Sequence, residues 1–163
     1  MAAHYPSDVG VDNNVVAAYI RGMSILVRHH HVSIAVRDLD AQESWYSRVL
    51  GFTEPIERVA IPDPAVRTVV LQAANGLRVE LIERPQVEPR SFPDPLTAAG
   101  VQGYGHWAVQ VGDLDAAFSE LTAAGATMVS PPADAVHAGD RYAYIHDPEG
   151  NLLELIQTGP RNA

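Results

Sequence analysis

The chain repeats itself, and the repeat constrains the fold more than any other feature. His31-Val32-Ser33-Ile34-Ala35-Val36-Arg37-Asp38-Leu39-Asp40 recurs 75 residues later as His106-Trp107-Ala108-Val109-Gln110-Val111-Gly112-Asp113-Leu114-Asp115. Each copy opens on a histidine, alternates apolar and polar residues as a half-buried strand does, and ends in Asp-Leu-Asp, a helix-start signal. A second stretch, Asn75-Gly76-Leu77-Arg78-Val79-Glu80-Leu81-Ile82, is matched by Glu149-Gly150-Asn151-Leu152-Leu153-Glu154-Leu155-Ile156 at an offset of 74. Helix-cap and strand patterns occur in any α+β protein, but this fixed order at a nearly constant offset requires two copies of one structural unit.

Helices are expected to run from the Asp-Leu-Asp signals to about Leu50 and Ala124, each with one apolar side and each followed by a glycine, Gly51 or Gly125, suited to a left-handed cap. Strands are expected near Thr53–Val59 and Thr127–Ser130, at Thr68–Ala73 and Tyr142–His146, and at the two glutamate-bearing stretches. Asn75-Gly76 predicts a two-residue primed hairpin turn, and Asp147-Pro148-Glu149-Gly150 a four-residue one. The class is α+β, each module reading strand, helix, three strands: residues 29–83 and 104–158, after an extension over 1–28 and joined by a Pro- and Gly-rich linker over 84–103.

Modules of this kind cannot bury their sheets alone, so a pseudo-twofold pairing is expected to bring His31 near His106 and Glu80 near Glu154. Two glutamates within apolar strands are costly unless they are hydrogen-bonded, ion-paired or bound to metal. The other reading makes them water-exposed strand residues and the histidines ordinary strand starters. Taken together, the four form a borderline-hard set suited to one divalent metal ion, Zn, Ni, Co, Mn or Fe(II), with positions left for water or substrate. With the turns named above, Glu80 lies opposite Leu71 and Glu154 opposite Ala143, while Arg67, Arg78 and Arg141 take the parity of the cavity face. Arg67 and Arg141 are thereby candidates for binding a substrate carboxylate, against a default role as solvated strand-end arginines. His146 falls on the face away from Glu154.

Composition narrows the chemistry. All eleven basic residues are arginine and cysteine is absent, which removes Schiff-base, thiol and thiolate–metal chemistry. A net charge of -9 argues against a nucleic-acid partner. No apolar run approaches the roughly 18 residues of a membrane span, and residues 1–22 lack signal-peptide character, so the expected location is cytoplasmic.

These motifs, with Trp45-Tyr46 through Leu50-Gly51-Phe52, resemble the vicinal-oxygen-chelate superfamily, which includes glyoxalase I, methylmalonyl-CoA epimerase, extradiol dioxygenases, fosfomycin-modifying enzymes and bleomycin-resistance proteins. The resemblance covers about Val27 to Gln157. It implies paired βαβββ modules forming a cup-shaped mixed sheet around a central site, with His31, Glu80, His106 and Glu154 as metal ligands. Glu80 favours the glyoxalase and epimerase branches, which draw a ligand from the fourth strand of both modules. In the dioxygenase and fosfomycin branches the set would be His31, His106 and Glu154 alone. The expected activity is that of a metal-dependent isomerase, epimerase or lyase on a small substrate with vicinal oxygens, Glu80 or Glu154 taking the proton beside the carbonyl as an enediolate forms. The alternatives are an Fe(II) extradiol-type dioxygenase and a non-catalytic, antibiotic-binding resistance protein. A C2 homodimer is expected, with residues 1–28 at its interface and the site built within one chain or across two.

Overall fold

A computed structural model describes residues 27–160; the role expected of 1–28 lies almost wholly outside them. The chain divides into two units, Met1–His30 and His31–Ala163, and every element below belongs to the second. It begins with strand β1 (Val32–Val36), helix α1 (Leu39–Leu50) and strands β2 (Glu54–Pro62), β3 (Ala65–Gln72) and β4 (Arg78–Glu83). A short helix α2 (Pro95–Ala99) follows, then the second copy: β5 (Trp107–Gln110), α3 (Leu114–Ala123), β6 (Thr127–Asp134), β7 (Arg141–His146) and β8 (Leu152–Gln157). The fold is α+β, with two four-stranded mixed sheets in the orders β1-β4-β3-β2 and β5-β8-β7-β6. In each the first strand runs parallel to the last and the other pairs are antiparallel. No helix among the described residues is long and apolar enough to cross a membrane.

Both helices start by one device. Asp38 and Asp113 are extended N-caps whose carboxylates accept from Ala41 N and Ala116 N, each at 3.0 Å, satisfying donors the helix cannot. The strand behind supplies a second acceptor: Glu83 Oε2 takes Leu39 N–H at 2.8 Å, and Gln157 Oε1 takes Leu114 N–H at 2.7 Å. At the other end of α1, Gly51 is left-handed with φ 73°, and its N–H closes on Tyr46 O. A methyl group there would meet no atom within 4 Å, so Gly51→Ala should cost only the conformational penalty, ~1 kcal/mol, as a shifted urea midpoint with unchanged slope.

The hairpin turns differ from the expectation. Ala73 N–H bonds Leu77 O and Gly76 N–H bonds Ala73 O; Asp147 N–H bonds Asn151 O and Gly150 N–H bonds Asp147 O. Both loops thus have three residues and end on a glycine of positive φ, 83° at Gly76 and 93° at Gly150. Asn75 is not among the positive-φ residues, which rules out the primed turn, since both primed types need positive φ at the first central position. A shift of one residue reverses a strand's faces. Glu80 accordingly lies opposite Val70 and Glu154 opposite Tyr144.

Burial follows this register. Ile34, Val36, Val69, Leu71, Val79 and Leu81 of the first sheet, and Ala143, Ile145, Leu153 and Leu155 of the second, join Leu39, Trp45, Tyr46, Leu114 and Leu121 of the helices in one apolar core. The helix-side faces of both sheets are thereby covered. The faces carrying His31 and Glu80, and His106 and Glu154, are those left open.

Candidate functional site

Parallel pairing aligns Ser33 with Glu80 and Ala108 with Glu154. The residue two positions earlier on each first strand therefore shares the glutamate's face, and that residue is His31 or His106. The side chains meet: His31 Nε2 lies 3.4 Å from Glu80 Oε2, and His106 Nε2 lies 3.0 Å from Glu154 Oε2. The glutamates are the more enclosed partners, 20% and 17% exposed against 32% and 31% for the histidines. Two ligands of one cation at ~2.1 Å, set 90–109° apart, lie about 3.0–3.4 Å from each other. Both pairs have that separation, and imidazole nitrogen with carboxylate oxygen suits a borderline divalent ion, so the donors fit a metal.

Within one chain the two pairs stay apart. Among the described residues no three His, Asp or Glu side chains come together in a way that could hold a metal ion. The four expected ligands therefore form no such group within the described residues of one chain: the helix-side faces of both sheets line the common core, and the two pairs lie on the other faces.

The halves are unequal. Tyr144 stands opposite Glu154, and burial, then the nearby carboxylate, hold its phenol above its ordinary range, so it stays protonated. Its ring lies edge-on to His106 at 5.4 Å between centroids. The corresponding residue opposite Glu80 is Val70, which has no polar group. Sequence reasoning missed Tyr144 because the turn was read one residue out; the glycines at matching positions, Gly76 and Gly150, were the signal for the same three-residue turn in both copies. The same shift places His146, paired with Leu152, on the Glu154 face, correcting its assignment to the other side.

Arg67 and Arg141 are corrected likewise. Arg67 pairs with Glu83 and Arg141 with Gln157 across strands on the helix side. Arg67 Nη2 reaches Glu83 Oε2 at 3.0 Å and Asp40 Oδ2 at 3.3 Å; Arg141 Nη1 reaches Asp115 Oδ2 at 2.6 Å. They tie a strand to the first turn of its helix, once per repeat, and the structure brings neither to a His–Glu pair. Arg78 does share the Glu80 face, where its Nε donates to Gln72 Oε1 at 2.7 Å. A surface groove runs between the β2–β3 hairpin and the chain after β4, lined by Ile61, Val66, Arg84 and Gln86 among others, and includes neither pair.

A family model described as Glyoxalase/Bleomycin resistance protein/Dioxygenase superfamily matches residues 28–155. The chain is 30% identical over 150 residues to a 2-epi-5-epi-valiolone epimerase of Actinomyces, covering 83% of this chain and 82% of that protein. It is 27% identical over 133 residues to a lactoylglutathione lyase of Arabidopsis thaliana, covering 82% of this chain and 45% of that one. The crystal structure of glyoxalase I from Zea mays superposes with a TM-score of 0.64 at 23% identity, over 82% of this chain and 45% of that one, a likeness of fold. The chain thus spans about half the length of the plant lyase it matches.

Proposed function

Because the chain belongs to the Glyoxalase/Bleomycin resistance protein/Dioxygenase superfamily, we propose that it is a metal-dependent isomerase, epimerase or lyase that moves a proton on a carbon beside a carbonyl, in a site completed by a second copy of the chain. The observation that carries this reading is the recurrence of a His–Glu pair, at ligand spacing, at matching strand positions on the open faces of both sheets. His31 and Glu80 of one protomer with His106 and Glu154 of its partner would hold one divalent ion. Two further facts support the two-chain arrangement: the pairs do not meet within one chain, and a relative about twice as long has room for two sets of modules.

A divalent ion held there would act as a Lewis acid on a substrate's vicinal oxygens, lowering the cost of charge on the carbonyl oxygen as the adjacent proton leaves. The chain's own residues do the rest. Tyr144 holds a protonated phenol opposite Glu154, whereas Glu80 faces Val70, which has no polar group. Glu80 is therefore the carboxylate assigned to take the proton and return it. His31 and His106 orient the two carboxylates.

Protein purified without chelator should contain a divalent metal, and in D2O the loaded protein should exchange the carbon-bound protons next to the carbonyl of hydroxyacetone, read by proton NMR. Glu80→Gln should slow exchange at least ~100-fold, the lower range for loss of a general base. Metal-free protein, or exchange unaffected by both Glu80→Gln and Glu154→Gln, would overturn the reading.

A further inference from the structure

The two open faces are chemically unlike. On the Glu80 face β3 contributes Thr68, Val70 and Gln72, with Arg78 beside Glu80 on β4. On the Glu154 face β7 contributes Tyr142, Tyr144 and His146, with Gln110 across the sheet on β5. If the two faces close over one substrate, as the reading above requires, the phenols and imidazole of β7 have no counterpart on the other wall, where Thr68, Val70 and Gln72 stand at the matching positions.

His146 is the member of that row whose role can be read from its bonds. Its Nε2 lies 2.8 Å from the backbone carbonyl of Phe92. A carbonyl oxygen only accepts, so Nε2 carries a proton, and Nδ1 is the ring nitrogen that serves as acceptor when the imidazole is neutral. Nδ1 has no hydrogen-bond partner among the described residues, yet it is not sealed from solvent, since the one buried side-chain polar atom there without a partner is Gln42 Oε1. The Phe92 segment is held in turn on the same hairpin, where Ser91 Oγ donates to Gly150 O at 3.0 Å. The imidazole is thus held in position, one row along β7 from Tyr144 and Glu154, with Nδ1 open to solvent.

We propose that His146 Nδ1 accepts a hydrogen bond from a substrate hydroxyl, and that the substrate class is therefore a small carbonyl compound carrying a hydroxyl beyond its two vicinal oxygens. This rests on the preceding reading of the site. A bare 2-oxoaldehyde or a simple hydroxyketone satisfies the metal pair but leaves Nδ1 to water. A hydroxylated chain or ring fills both.

The test is ligand-observed NMR titration of the full-length zinc-loaded protein with two probes, erythrulose and hydroxyacetone, which share the vicinal oxygens and differ in additional hydroxyls. Erythrulose should bind roughly three- to tenfold tighter, the contribution of one neutral hydrogen bond. His146→Gln keeps an amide N–H for the Phe92 carbonyl but places no acceptor at the Nδ1 position, and should abolish the preference while leaving hydroxyacetone affinity unchanged. His146→Asn, which keeps an acceptor near Nδ1, should retain part of it. Equal affinity for the probes in the unsubstituted protein, or a preference that survives His146→Gln, would overturn the proposal and leave His146 as an anchor for Phe92. A His146-dependent preference without proton exchange would uphold this inference and refute the proton-transfer reading, since binding and exchange are measured separately.

Discussion

Two metal-free variants, one carrying His31→Ala with Glu80→Gln and the other His106→Ala with Glu154→Gln, are expected to regain metal and proton exchange when unfolded and refolded together. Each variant alone lacks two of the four donors in every site it can build. In a mixed dimer one site draws His31 and Glu80 from the second variant and His106 and Glu154 from the first, so it is intact, while the other site has lost all four. With equal mixing about half of the dimers are mixed and half of their sites are whole, so recovery should be about a quarter of the unsubstituted level for a two-fold assembly. Metal content and NMR exchange should recover in parallel, and light scattering should report a dimer. A mixture that stays empty, while the unsubstituted protein binds metal stoichiometrically as a monomer, would place all four donors in one chain. That outcome would require the helices and shared core to rearrange, because they now lie between the covered faces.

Much of the fold is legible because both copies solve the same local problem. An aspartate caps each helix, an apolar alternation marks each sheet, and a histidine and a glutamate stand at equivalent positions, so each copy supports the reading of the other. The register was harder to read. A glycine closing a hairpin suits either a two-residue primed turn or a three-residue turn with a left-handed third residue, and the choice moves Val70 and Tyr144 to the glutamate faces. The arginines left a signal that parity alone obscured: Arg67 and Asp40 recur as Arg141 and Asp115, a pattern for a strand-to-helix ion pair. How the modules pack against each other has no counterpart in the repeat. Asp147 corresponds to Ala73 in the first copy, so nothing in the periodic pattern announces its partnership with Tyr46. The separation of the two His–Glu pairs follows from that same packing and was equally hidden.

That partnership is where stability should be most sensitive. Asp147 is fully buried, and its carboxylate accepts from Tyr46 Oη at 3.0 Å, Asn151 Nδ2 at 2.8 Å, and the backbone N–H groups of Glu149 and Asn151, each at 2.9 Å. It thereby joins α1 to the β7–β8 hairpin. Three neighbouring bonds reinforce the joint: Trp45 Nε1 donates to Ala124 O at 3.0 Å, and Glu149 accepts from Arg37 N at 2.7 Å and Asp38 N at 2.9 Å. Asp147→Ala leaves a buried phenol and two backbone donors unsatisfied, so it should cost roughly 3–5 kcal/mol, a large share of the 5–15 kcal/mol typical of a domain. Tyr46→Phe removes one donor from a carboxylate that keeps three others and should cost only ~1–2 kcal/mol. Burial, and then the charge of Asp147, hold the Tyr46 phenol well above its ordinary value. The unfolded chain releases this proton near pH ~10 while the folded chain retains it, so stability should fall as pH rises past that point. Tyr46→Phe should remove part of this slope and leave the part due to Tyr144, whose phenol is also raised. Urea midpoints between pH 8 and 11 measure both effects. An Asp147→Ala midpoint equal to that of the unsubstituted protein, or a Tyr46→Phe slope identical to it, would show that the two modules do not depend on this contact to stay together.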